Sequence, residues 1–110
     1  TVAVKGGPIT SDAIIEDAMV VGMDQVAPVI LTGPDTLGLP LDEMSLDLQA
    51  KLDAADLVVS KGQANYYACS ELVRERKASF MCVLCTKCIV AAQSLGVEDA
   101  RANVAVLLRQ

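Results

Sequence analysis

Short apolar runs recur along the chain, each closed by glycine, proline or polar residues. Val2 to Val4, Val29 to Leu31, Asp56 to Ser60, Ser79 to Leu84 and Asn103 to Leu108 read as strands, too short and too rich in β-branched residues for helices. The intervals carry a different rhythm. Ile14, Ile15, Ala18 and Met19 recur at helical spacing, with Ser11 or Asp12 placed to cap the helix and Gly22 to stop it. Met44 to Ala54, with Leu48 and Leu52 in register, Tyr66 to Arg76, and Thr86 to Leu95 before Gly96 complete the helices. The predicted order is a strict alternation of strand and helix that begins and ends on a strand.

Continuous apolar strands alternating with helices imply a mostly parallel sheet covered on both faces, a Rossmann-like three-layer sandwich formed by residues 1–110 as a single α/β unit. Crossovers in such a sheet are right-handed, and ligands bind beyond the carboxyl ends of the strands. The loops at that end run from Lys5 to Asp12, Thr32 to Thr36, Lys61 to Asn65, and Cys85 to Lys87. This topology is expected to gather Asp12, Lys61 and Asn65, although they lie far apart in the chain.

Composition narrows the chemistry. At 53% hydrophobic residues the chain can fill a core and is too apolar for disorder. Its apolar runs are too short to span a bilayer and no signal peptide is visible, so a soluble, cytoplasmic protein is expected. A net charge of -5, no Trp, 2 Tyr and 1 Phe argue against a nucleic-acid partner, which needs basic grooves and stacking platforms. With no histidine, Ser-His-Asp and Cys-His catalysis and histidine-bound zinc would need another chain. The chemistry must rest on carboxylates, lysine, asparagine, hydroxyls, backbone groups or thiols. Cys82, Cys85 and Cys88 have a spacing used in iron–sulfur ligation. However, Cys82 lies inside a predicted buried strand, Cys88 is expected to face the sheet from the next helix, and only the distant Cys69 could be a fourth ligand. Reduced core cysteines are the better reading.

Several polar positions remain as candidates. Asp12, at a strand-to-helix junction, can bind a hard divalent cation or merely cap the helix. Asp17 is either a support for Asp12 or a solvated charge. Lys61, directly after a strand, can deliver a compact cation to a phosphate, and Gly62 lets backbone approach a ligand closely. Asn65 can cap the following helix or bind a ligand. Lys87 would bring a second cation to the same face. The P-loop pattern is absent, and by composition alone Lys61 is better explained as a solvated lysine.

Taken together, the segments resemble the damage-control phosphatase family, formerly a domain of unknown function. They are Lys5-Gly6-Gly7-Pro8-Ile9-Thr10-Ser11-Asp12-Ala13 with Glu16-Asp17-Ala18, Val29-Ile30-Leu31-Thr32-Gly33 with Asp35, Ala55-Asp56-Leu57-Val58-Val59-Ser60-Lys61-Gly62-Gln63-Ala64-Asn65, Lys87-Cys88, and Leu95-Gly96-Val97. The resemblance implies a metal-dependent phosphatase that hydrolyses small phosphorylated metabolites such as sugar phosphates, using manganese, cobalt, nickel or magnesium. It assigns Asp12 to the metal and Lys61 to the phosphate, with Asn65 and Gly62 in the pocket and Asp17 and Lys87 at recurring polar positions. Two departures stand out. Ala64 replaces a usual glycine, and the family's upstream Asp-Asn pair has no counterpart after Thr1. The chain is therefore expected to be the carboxyl-terminal part of a longer phosphatase, with an incomplete metal site and little activity alone. Its partner would be the missing amino-terminal segment or a second copy. The rival expectation is a non-catalytic α/β module that binds an anionic metabolite.

Overall fold

A computed structural model describes all of residues 1–110, which form two compact units, Thr1–Ala54 and Ala55–Gln110. In the first, strand β1 (Val2–Val4) pairs in parallel with β2 (Val29–Leu31), Val2 opposite Val29 and Val4 opposite Leu31. Helix α1 (Ile15–Val20) lies between them in sequence, and α2 (Leu46–Ala54) follows β2. Val4, Ala18, Met44, Leu48 and Leu52 are buried and form the core of this unit.

Two helix starts here are set by hydrogen bonds. The Ser45 hydroxyl accepts from the Leu48 N–H at 3.1 Å and donates to the Leu31 carbonyl at 2.7 Å. It thus caps α2 and ties it to β2, which moves the helix start from the expected Met44 to Leu46. For α1 the expected cap is corrected. Neither Ser11 nor Asp12 caps it; the residue before the helix is Ile14, whose N–H donates to the Asp17 carboxylate at 3.0 Å. The reason is the preceding backbone. Lys5 N–H bonds to the Ala13 carbonyl at 2.9 Å and Lys5 bridges to Ile14, so residues 13 and 14 stay extended and the helix begins one turn late.

In the second unit the sheet order is β3 (Leu57–Lys61), β4 (Ser79–Cys85), β5 (Asn103–Leu108). Helix α3 (Gln63–Leu72) joins the first pair and packs on both, and α4 (Ile89–Ser94) precedes β5. Phe80, Cys82 and Leu84 point to one side of β4 and are buried, as are Cys69 and Leu72 of α3 and Ala91 and Ala92 of α4. The opposite side exposes Leu57 and Val59 of β3, Val83 of β4 and Leu107 of β5.

The fold is α/β with mixed sheets. β3 and β4 are parallel, but β4 and β5 are antiparallel, Cys85 opposite Asn103 and Phe80 opposite Leu108. A parallel return would need a helix that retraces the strand. The 6 residues of α4 reach about 9 Å, whereas the 7 residues of β4 extend over about 23 Å. The chain instead stays at the carboxyl end of β4, where Thr86 pins it. Thr86 is fully buried, its N–H donates to the Ala102 carbonyl, and its hydroxyl donates to the Ala100 carbonyl at 3.1 Å and accepts from the Ala102 N–H at 2.8 Å.

The cysteines divide. All four are free; Cys69 and Cys82 are buried, as expected of core thiols, while Cys85 and Cys88 are exposed. Cys88 was expected to face the sheet but precedes α4 in extended backbone, and Cys85 falls on the uncovered side of β4. No helix is long and apolar enough to cross a membrane.

Candidate functional site

In the first unit the candidate site is the loop that closes after β1. Asp12 sits in it with its side chain 34% exposed and an oxygen 4.0 Å from the Lys5 ammonium. Lys5 itself is only 5% exposed. Its Nζ donates to the Thr36 carbonyl at 3.1 Å and to the Gly38 carbonyl, both on the loop after β2. Burial lowers the Lys5 pKa, and the neighbouring Asp12 carboxylate partly opposes that shift. Backbones of the two loops touch: a Cβ at Gly6 would lie 1.7 Å from the Gly33 carbonyl oxygen, so only glycine fits there. Asp17 faces the start of α1 through its bond from Ile14.

In the second unit the candidate residues surround the first turn of α3. Lys61 is the last residue of β3 and its side chain is exposed. Gly62 follows with φ +101, a conformation other residues rarely adopt, and accepts the first helical bond from Tyr66 N–H at 3.1 Å. The helix therefore begins at Gln63, before the expected Tyr66, and the residue at its cap is Gly62. Asn65 lies inside the helix and does not cap it; its carboxamide donates to the Lys61 carbonyl at 2.8 Å and braces the turn. The Lys87 N–H donates to the Gln63 side-chain oxygen at 2.9 Å. That bond brings the loop after β4 to the same helix terminus.

The structure thus groups Asp12 with Lys5 in one unit, and Lys61, Gly62, Asn65 and Lys87 with Gln63 in the other. Lys5 and Gln63 are absent from the sequence candidates. A lysine beside Gly6-Gly7 reads as solvated, and its burial depends on carbonyls more than 30 residues away. Gln63 gave a weak signal, as a polar residue inside the Lys61-to-Asn65 turn.

The donor chemistry tests whether a metal fits. The Asp12 carboxylate is a hard oxygen ligand of the kind divalent cations prefer. No group of three or more His, Cys, Asp or Glu residues is arranged to hold a metal ion. Asp12 is thus compatible in chemistry with a divalent cation, but the chain completes no group of ligands around it, and its cysteines form no iron–sulfur cluster site.

A mixed α/β chain with a carboxylate in the loop after its first strand and a Lys-Gly turn after its third has known relatives. It belongs to the damage-control phosphatase ARMT1-like domain family, whose model matches residues 1–102. It is 39% identical over 99 residues to a damage-control phosphatase of Archaeoglobus fulgidus, covering 89% of this chain and 33% of that protein. It is 37% identical over 95 residues to an uncharacterised protein of Methanocaldococcus jannaschii, covering 86% of this chain and 31% of the relative. A crystal structure of a DUF89 family protein from Pyrococcus horikoshii superposes with a TM-score of 0.79 at 32% identity, covering 97% of this chain and 35% of that one. The chain spans about a third of the length of these relatives.

Proposed function

We propose that the full-length protein is a metal-dependent phosphatase that hydrolyses small phosphorylated metabolites such as sugar phosphates, and that this chain is its carboxyl-terminal part. The observation that carries the reading is the start of α3, where the Gln63 bond to Lys87 N–H brings the loop after β4 to the turn that follows Lys61, in a chain whose family is that of the phosphatases. Asp12 would hold the divalent ion (manganese, cobalt, nickel or magnesium), with remaining ligands from residues outside this chain. When bound, such an ion supplies Lewis-acid polarisation of a phosphoryl oxygen.

The chain's own residues supply the rest. Lys61 offsets the charge on the phosphoryl oxygens, and Lys87 adds a second positive charge. Gly62 lets the backbone approach the substrate, Asn65 keeps the Lys61 carbonyl turned inward, and Asp17 steadies the helix that follows Asp12. In this reading residues 1–110 are a single Rossmann-like α/β unit of the longer protein. A cytoplasmic location accords with four free thiols. The substrate is the partner; a second copy or the amino-terminal segment completes the site.

Manganese- or nickel-stimulated release of phosphate from sugar phosphates by the full-length protein tests the proposal. Asp12→Ala is expected to abolish the metal stimulation, and Lys61→Met to raise KM. Full activity in Asp12→Ala would remove the metal role. The second reading, a non-catalytic module that binds an anionic metabolite, draws on the same helix start; anion-induced thermal stabilisation indifferent to metal, without turnover, would favour it.

A further inference from the structure

Lys5 is the most confined charge in the chain, and its surroundings give it a specific task. Removing an ammonium from water is unfavourable unless its donors are satisfied. The Thr36 and Gly38 carbonyls take two of the three N–H groups, and an Asp12 oxygen lies 4.0 Å from the ammonium, an ion-pair distance beyond a hydrogen bond. Two of its donors are committed and, at 5% exposure, Lys5 has no path to a phosphate in solution. Its backbone is equally committed, since its N–H bond to Ala13 closes the neck of the loop that carries Asp12. One residue thus fixes the loop at its base by the main chain and confronts its carboxylate with the side chain.

We propose that Lys5 is a positioning residue for Asp12: anchored on the Thr36 and Gly38 carbonyls, its ammonium draws one carboxylate oxygen toward itself by charge and so orients the carboxylate for a divalent cation. This rests on the reading of Asp12 as a metal-binding carboxylate. It also makes the β2–α2 loop part of the metal site's support, since that loop supplies the carbonyls that hold the ammonium. Two opposed effects separate positioning from mere proximity. A neighbouring positive charge by itself weakens cation binding, so its removal would tighten it. Loss of an orienting partner instead weakens binding, by about tenfold or more at comparable sites.

The experiment measures Mn2+ affinity by electron paramagnetic resonance in the full-length protein and in Lys5→Met, Lys5→Arg and Asp12→Ala, with circular dichroism to verify folding. Lys5→Met is expected to weaken Mn2+ binding about tenfold. Lys5→Arg should fall between it and the wild type, because a planar guanidinium keeps the charge but cannot reproduce the ammonium's two carbonyl bonds at the same place. Asp12→Ala should abolish the binding. Wild-type or tighter affinity in Lys5→Met, alongside loss in Asp12→Ala, overturns the positioning role and leaves the metal reading intact. Wild-type affinity in Asp12→Ala overturns the metal reading and this inference with it. Should Lys5→Met not fold, Lys5→Arg decides: weakened binding supports the role, and unchanged binding overturns it.

Discussion

Buried polar and thiol groups give the sharpest handles at the scale of single residues. The Thr86 hydroxyl is fully enclosed and makes both a donated and an accepted bond. Thr86→Val keeps the shape and leaves the Ala100 carbonyl and the Ala102 N–H without that partner. A loss of about 3 kcal/mol in urea unfolding is expected, largely recovered in Thr86→Ser. Burial pushes the Cys82 thiol up to about 12, with Cys69 beside it adding to the shift. A thiol whose pKa is raised by folding favours the folded state while it is protonated. That contribution is complete below the usual value of 9.0 and is lost as pH climbs toward 12. The urea midpoint should therefore fall more steeply above pH 9.0 in the wild type than in Cys82→Ala. The same burial predicts that a thiol reagent labels Cys85 and Cys88 in the native protein and reaches Cys69 and Cys82 only on unfolding.

Among the elements, the strands were the most legible. Val2–Val4, Val29–Leu31 and Asn103–Leu108 fall where the apolar runs lie, because β-branched and aliphatic residues suit a pleated, partly covered surface. Helix ends were less so, since they depend on which group supplies a cap. Asp17 and Gly62 do so for α1 and α3 from positions that the apolar periodicity does not mark. The two glycine turns should respond differently to alanine. Gly62→Ala meets nothing within 4 Å but must adopt φ +101, so it should cost about 1–2 kcal/mol and leave the fold intact. Gly6→Ala places a Cβ 1.7 Å from the Gly33 carbonyl oxygen and forces two backbones apart, at about 3 kcal/mol. Thermal melts of the two variants distinguish strain from collision.

For the whole molecule, family membership covers residues 1–102 while the chain amounts to about a third of its relatives' length. The isolated chain is expected to bind manganese weakly and to turn over little substrate beside the full-length protein; robust turnover by the chain alone would contradict a site shared with other residues. By itself the sequence determined where strands form and the α/β class, and it singled out Asp12, Lys61, Asn65 and Lys87, which lie in a loop, at a strand end or near a helix start that hydrophobic period and turn chemistry locate. Tertiary structure decided what no local pattern encodes. A strand's composition carries no direction, so the antiparallel return of β5 emerged only from the reach of α4 and the bonds of Thr86. A lysine's composition carries no burial, so the enclosure of Lys5 emerged only when the carbonyls of Thr36 and Gly38 closed around it.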